Sequence, residues 1–139
     1  MKKLFYILLI LPIFLMAELN MKQINFALSS IKSVEPLKFF IQYQETLLKK
    51  NLTVTSFENA NIVLFPELLT TDKMNIVSSY KELKINKNSI GAIYLKKGRT
   101  QIIFVKERLQ NNGLSLPNAF QKNILNECQL NPICLVKSL

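Results

Sequence analysis

Histidine and tryptophan are absent from the 139 residues of this chain, and Asp72 is its single aspartate. Without histidine the chain cannot build a Ser-His-Asp or Cys-His catalytic group, a histidine-containing zinc site or a histidine pH switch. Glycine is scarce too, with three residues, and neither common glycine-rich phosphate-binding pattern occurs. These absences exclude several widespread hydrolytic, metal and nucleotide chemistries.

The nine acidic residues are scattered along the chain, and no spacing among them selects a pair that would face one cleft. Paired-carboxylate hydrolysis needs two such groups about 5–10 Å apart. We therefore predict a protein that is not an enzyme, with no catalytic residue, no metal site and no cofactor.

The start of the chain predicts export. Two lysines precede an apolar run that ends at Met16, and Ala17 is the small residue expected at a signal-peptide cleavage site. The run is shorter than the roughly 20 apolar residues of a membrane span, which favours cleavage over retention as an anchor. We predict a signal peptide over 1–17, a periplasmic location and a single domain over 18–139.

Basic residues outnumber acidic residues throughout. Removing the two lysines of the leader leaves 16 of the 18 basic residues against 9 acidic ones, a net charge of +7. Nucleic acid is not an expected partner in a periplasm, so this excess points to anionic lipid headgroups, anionic small molecules or acidic proteins. Solubility of a small domain is the alternative explanation.

Apolar runs and helical spacing predict an α/β fold in which helices flank a mixed sheet of about five strands. The expected strands cover residues 23–28, 61–65, 74–77, 90–95 and 100–105. The expected helices cover 36–50 and 106–111, with a last helix that begins at Pro117 and a helical turn around 79–83. A strand, a helix and a fully apolar strand in that order are typical of a crossover unit with parallel strands.

The clearest local feature is a C-terminal β-hairpin. Two β-rich runs, 90–95 and 100–105, flank the turn Lys96-Lys97-Gly98-Arg99. Gly98 is expected at a positive φ. Gly91 lies inside the first run, where a glycine indicates a bulge or close packing.

The hairpin turn is the predicted partner-binding surface, since arginine offers a two-pronged donor to carboxylates and phosphates and tyrosine is a frequent interface anchor. The predicted partner-binding residues are Tyr94, Lys96, Lys97 and Arg99. Lys106 and Arg108 follow one strand later and are expected to extend the same basic face. The alternative is a solvated turn that protects an edge strand from aggregation.

Two serines, Ser29 and Ser30, follow the first predicted strand. Ligands bind at the carboxyl ends of parallel strands, and hydroxyl groups there are suited to an anion. We therefore predict these two residues as a ligand-binding site.

Cys128 and Cys134 are the two cysteines of the chain, and Asn131-Pro132 supplies a turn between them. An oxidising compartment and an even count favour a disulfide that closes the tail. The spacing is not the Cys-x-x-Cys of thiol oxidoreductases. A redox-sensing pair and two free thiols remain open.

Residues 90–105, followed by Arg108-Leu109 and Gly113-Leu114-Ser115-Leu116, resemble the C-terminal part of YfiR-like periplasmic proteins. The shared pattern is a Gly-led strand, a polar turn with Gly and a basic residue, a second strand, a short helix and a Gly-Leu step. It covers about residues 60–125, and the Trp-Pro signature of that family is missing. The resemblance implies an exported α/β regulator that binds the periplasmic part of an inner-membrane diguanylate cyclase and holds it inactive.

One lobe of a periplasmic solute-binding protein would show the same crossover units, so a small single-lobe solute-binding or transport-accessory protein is the alternative. The two hypotheses predict different surfaces. A regulator is expected to expose an apolar patch beside the basic turn. A solute binder is expected to have a concave polar pocket at Ser29, Ser30 and Pro66.

Overall fold

A computed structural model describes residues 18–41, 52–67 and 72–132 of the chain. The predicted signal peptide over 1–17 lies outside the described residues, as do Cys134 and residues 42–50 of the helix predicted over 36–50.

Six strands form one mixed sheet, and they stand side by side in the order in which they occur in the chain. The elements are α1 (Met21–Ser29), β1 (Phe39–Ile41), a 3₁₀ turn (Phe57–Asn59), β2 (Ile62–Leu64), β3 (Met74–Val77), α2 (Tyr80–Ile85), β4 (Ser89–Lys96), β5 (Arg99–Val105), α3 (Lys106–Asn111), a 3₁₀ segment (Asn118–Asn123), β6 (Ile124–Leu125) and α4 (Glu127–Leu130). Strands β1 to β4 are parallel, β5 is antiparallel to β4, and β6 is parallel to β5. The predicted α/β class with a mixed sheet is confirmed, with six strands where about five were expected.

The first predicted strand, 23–28, is wrong, because this segment lies in helix α1. The buried residues Ile24, Ala27 and Leu28 follow the helical spacing of three and four, which outweighs the weak alternation of the segment. The Asn20 side chain caps the helix by accepting a hydrogen bond from the N–H of Gln23 at 3.1 Å. The apolar residues of this segment therefore cover the sheet instead of joining it.

The helix predicted over 36–50 is wrong for residues 39–41, which form strand β1. Phe39 and Ile41 are buried and pair in parallel with β2, and the outer edge of Phe39 is covered as well. Its N–H donates to the carbonyl of Thr53 at 2.8 Å, and its carbonyl accepts from the N–H of Thr55 at 2.9 Å. Tertiary pairing thus overrides the helical spacing that the sequence suggests here.

The single helix predicted from Pro117 is also wrong. The segment breaks into the 3₁₀ segment, the two-residue strand β6 and the short helix α4. Asn126 explains the second break, because its side chain accepts from the N–H of Gln129 while the Gln129 side chain accepts from the N–H of Asn126. This capping box starts a new helix in the middle of the predicted one.

The sheet is covered on both faces, and β5 shows how the sequence achieves this. Ile102 and Phe104 belong to the larger core with helix α1, whereas Ile103 and Val105 belong to the smaller core, which includes Leu83 of α2 and Leu130 of α4. Successive side chains of a strand point to opposite faces, so each strand serves both cores.

The β4–β5 hairpin is confirmed, and its turn is tighter than the four-residue turn that the sequence suggests. Lys96 pairs with Arg99, so Lys97 and Gly98 alone form the loop, both with a positive φ, 51° and 76° respectively. Two positive φ angles in a two-residue loop are typical of a type I′ turn, which matches the twist of the hairpin.

Lys97→Asn is expected to raise the free energy of unfolding by about 0.5–1 kcal/mol, because asparagine tolerates the left-handed conformation better than lysine and Asn-Gly is the preferred type I′ pair. Urea unfolding measures the change. The matched control is Lys96→Asn, which also replaces a lysine with asparagine, one residue earlier, at a position where φ is not positive. A gain of the same size in the control would contradict the explanation.

Candidate functional site

A cleft of about 690 Å³ opens beside the hairpin, beyond the carboxyl ends of β2 and β3. Its wall comes from the segment that enters α1, the end of β2, the start of α2 and the outer half of β4. The lining residues are Leu19, Met21, Phe65, Pro66, Glu67, Ser78, Glu82, Ile93, Tyr94 and Leu95. Ligands of open α/β sheets bind outside the carboxyl ends of the strands, so this cleft lies where binding is expected for the topology.

One side of the cleft is held in place by the start of α2. The Ser79 hydroxyl accepts from the N–H of Glu82 at 3.1 Å and donates to the Glu82 carboxylate at 3.0 Å. The hydroxyl of Ser78 lies 3.3 Å from the same carboxylate oxygen. Glu67 lines the cleft as well and is exposed. The cleft therefore carries two carboxylates in a mostly apolar wall, which does not suit an anionic ligand.

Tyr94 forms part of the same wall. It is half-buried, and burial together with the neighbouring Tyr80 raises the pKa of its phenol above the usual value. The phenol is therefore protonated at neutral pH and offers one donor and one acceptor to a ligand in the cleft.

The backbone leaves the sheet sharply at the end of β2. Phe65 has a φ of 53°, which a bulky side chain seldom adopts, and its N–H donates to the carbonyl of Ile76 at 2.8 Å. Pro66 follows and cannot donate a hydrogen bond to a continuing strand. Strand β2 therefore stops here, and the cleft lies beyond its end.

The predicted partner-binding residues fall in two adjoining places. Lys96, Lys97 and Arg99 are all exposed at the tip of the hairpin, whereas Tyr94 lies below them in the cleft wall. Leu95 lies between these two groups and is 41% exposed, one of five large apolar side chains that are exposed among the described residues. The tip and the cleft thus form one continuous surface.

The wider basic face expected from the sequence does not form, because Arg108 is 4% exposed. Its guanidinium donates to the carbonyls of Leu83, Asn86 and Ser89 and forms an ion pair with Glu127 at 2.6 Å. Lys106 is exposed but lies at the far end of β5 from the tip. The basic face therefore loses Arg108, while Lys96, Lys97 and Arg99 at the tip remain exposed.

Ser29 and Ser30 lie at the end of helix α1 and not after a strand. Both hydroxyls donate to the carbonyl of Phe26, at 3.1 and 2.6 Å. Neither residue lines the cleft, although Pro66, which the solute-binding hypothesis grouped with them, does. The argument from strand ends therefore does not apply to these two serines.

Cys128 is disulfide-bonded and follows Glu127 in the short helix α4. The other cysteine of the chain, Cys134, lies outside the described residues. The alternative of free thiols is therefore wrong for Cys128, and the structural clasp on the tail and the redox-sensing pair stay predictions.

The sequence gives no sign of a buried polar network centred on Arg108. Besides its own contacts, the network includes Asn75, whose side-chain oxygen accepts from the hydroxyl of Ser89, and both residues are fully buried. Glu107 takes part too, because its carboxylate accepts from the N–H of Glu127 at 2.9 Å. Sequence reasoning cannot find this contact, since the partners are 20 residues apart.

Within residues 18–41, 52–67 and 72–132, no group of three or more histidine, cysteine or acidic residues could hold a metal ion. Among the same residues, none of the helices is long and apolar enough to cross a membrane.

Comparison of the chain with protein-family models, with curated proteins and with solved structures finds no match.

Proposed function

We propose that this chain is an exported, non-enzymatic binding protein that acts as a periplasmic regulator. Its partner is the periplasmic part of an inner-membrane signalling protein, which it captures with the end of its hairpin. The observation that supports this proposal most directly is the combination of Lys96, Lys97 and Arg99 with the exposed Leu95 at the hairpin tip.

The tip projects beyond the rest of the sheet. Strand β3 pairs with β4 only as far as Ala92, and β4 continues for four more residues, about 13 Å at 3.3 Å per residue. On the other side, β6 pairs with β5 only at Phe104 and Val105. The outer half of the hairpin is thus two strands wide, and the segment that enters α1 contacts it, because the N–H of Asn20 donates to the hydroxyl of Thr100 at 2.7 Å.

The composition of this surface fits a protein partner. Interfaces combine an apolar or aromatic centre with arginine and a polar rim, and Tyr94 and Leu95 directly precede the three cations of the tip along the hairpin. The cations would face acidic groups of the partner and increase the rate of encounter. The resemblance to YfiR-like proteins supplies the class of partner, an inner-membrane signalling protein.

The cleft itself favours the second candidate function, a small single-lobe solute-binding or transport-accessory protein. Its volume of about 690 Å³ falls within the roughly 300–1,000 Å³ of small-molecule sites. The Glu82 carboxylate in its wall favours a neutral or cationic solute over an anionic one. Such a ligand differs from the anionic small molecule or lipid headgroup that the net charge suggests.

Reversing two tip charges tests the regulator proposal. The double variant Lys97→Glu with Arg99→Glu is expected to reduce partner recovery at least tenfold, because two attractive contacts become repulsive. The measurement is cross-linking of the tagged protein in intact cells, followed by mass spectrometry that quantifies each recovered inner-membrane protein. Thermal unfolding of the purified variant should stay close to that of the wild type, since both side chains are exposed.

The matched control is Lys106→Glu with Lys122→Glu, which changes the net charge by the same amount. Both lysines are exposed and lie away from the tip, one after β5 and the other in the 3₁₀ segment. Equal loss of recovery in the two double variants would show that only the overall charge matters. Unchanged recovery in the tip variant would remove the tip from the interface.

A further inference from the structure

The cleft occupies the place where the sheet would continue. Strand β3 ends at Val77, opposite Ala92, and the chain then turns at Ser78 into α2. Strand β4 goes on from Ile93 to Lys96, and no strand among the described residues pairs with it on that side. The space beyond the end of β3 is thus bounded on one side by a strand edge.

The lining residues show that the cleft lies in the plane of the sheet and not over one face. Ile93 packs in the larger core and Tyr94 against the smaller one, so their side chains lie on opposite faces, yet both line the cleft. A pocket over one face would contact only alternate residues of a strand. The cleft therefore opens at the edge of β4, in line with β3.

The hairpin register identifies the backbone groups that face this space. In a two-residue hairpin the two residues that flank the loop form a hydrogen-bonded pair. Along the ladder, hydrogen-bonded pairs alternate with pairs whose backbone N–H and carbonyl groups point away from the partner strand. Lys96 and Tyr94 thus direct their backbone groups to β5, and Leu95 directs its N–H and carbonyl to the cleft. The carbonyl of Ile93 points the same way. This edge has the donors and acceptors that an added strand needs.

We propose that the captured partner inserts an extended segment into the cleft and that this segment pairs with the edge of β4 as an additional strand. This inference rests on the proposed function and specifies how the partner contacts the hairpin. Main-chain hydrogen bonds would supply the attachment, and alternate side chains of the segment would enter the apolar wall. The site is about four residues long.

Charge defines the chemistry of the segment. The lining residues Tyr94 and Leu95 are followed along the hairpin by the exposed Lys96, Lys97 and Arg99. An apolar segment with an acidic residue at the tip end complements these cations. A second copy of this chain is the competing occupant that the experiments must separate.

Hydrogen exchange of the purified protein tests the edge before any partner is known. The amide of Leu95 is expected to exchange about tenfold faster than that of Tyr94, because only the second is hydrogen-bonded to β5. NMR resolves the two neighbouring amides. Equal protection of both amides would show that the edge is already paired in the isolated chain and would overturn the proposal.

Proline at the edge tests the contact with the partner. Leu95→Pro removes the N–H that faces the cleft and leaves the β4–β5 hydrogen bonds in place, so the hairpin should persist while partner recovery in intact cells falls at least tenfold. Thr100→Pro, directly across the ladder, places the proline where the N–H faces the opposite edge. It also removes the hydroxyl that accepts from the N–H of Asn20 at 2.7 Å, so Thr100→Val, which removes that hydroxyl and keeps the Thr100 N–H, is measured beside it. A second control, Leu95→Ala, keeps the N–H and shortens the side chain, and it should lose less recovery than Leu95→Pro. Thermal unfolding of each variant confirms that the hairpin has folded.

The outcomes separate this inference from the proposed function. If the Lys97→Glu, Arg99→Glu variant recovers less partner and Leu95→Pro recovers as much as the wild type, the regulator proposal stands and strand addition is overturned. Equal losses in Leu95→Pro and Leu95→Ala would assign the contact to the side chain and also overturn it. A dimer of the purified chain that Leu95→Pro dissolves would identify a second copy as the occupant and overturn the partner segment. Unchanged recovery in all variants would contradict both proposals.

Discussion

Replacing Arg108 with alanine is expected to lower the free energy of unfolding by about 3–5 kcal/mol. The guanidinium is 4% exposed and donates to three main-chain carbonyls, those of Leu83, Asn86 and Ser89. Alanine leaves all three acceptors without this donor and also leaves a cavity beneath α3. Urea unfolding of the purified variant measures the loss.

The matched control is Lys106→Ala in the same short helix. Lys106 is a cation two residues away from Arg108 and is exposed, so its removal should change stability by less than about 0.5 kcal/mol. Arg108→Lys should be intermediate, because an ammonium keeps the charge but cannot contact the carbonyls and the Glu127 carboxylate together. Equal stability of Arg108→Ala and Lys106→Ala would contradict a stabilising role for the network.

Gly91→Ala is expected to destabilise the protein by about 3 kcal/mol, at the upper end for an added methyl group in a packed core. A Cβ at this position would lie 2.4 Å from the carbonyl oxygen of Ile103 and 2.8 Å from the ring of Phe104. The oxygen belongs to the backbone of β5, so relief requires the two strands to separate.

Gly113→Ala is the control that separates steric contact from backbone conformation. Gly113 has a φ of 69°, and nothing lies within 4 Å of a Cβ placed there. Alanine at this position should cost only the left-handed backbone penalty of about 1–2 kcal/mol. Thermal and urea unfolding of the two variants should therefore differ clearly, and a larger loss at Gly113 would contradict the close packing of Gly91.

The hairpin was predictable because its signals are local. Two β-rich runs and a glycine turn lie within 16 residues, and no distant contact is needed to form them. The N-terminal half is different. The segment 23–28 is short enough to fit both alternation and helical spacing, and only the sheet that α1 covers decides between them. In the same way β1 depends on β2 and on residues 53–55, which follow it by more than ten positions.

The candidate site was predictable in part. The tip residues follow from the hairpin, and Tyr94 follows from its place in β4, but the cleft that joins them depends on where β2 and β3 stop. That is fixed by the backbone turn at Phe65 and by the Ser79 cap of α2. In the sequence Arg108 cannot be distinguished from a surface arginine. The carbonyls that accept its hydrogen bonds belong to residues 19 to 25 positions earlier, and only the fold brings them to its guanidinium.

The sequential order of the strands has a consequence for how the molecule assembles. Every strand pairs with the one that precedes it in the chain, so the sheet can grow in one direction, each new strand docking on an edge already formed. Four of the five pairings are parallel and need a crossover connection, so the β4–β5 hairpin is the pairing that closes a short loop. The hairpin, and with it the proposed binding surface, therefore depends least on the growth of the rest of the sheet.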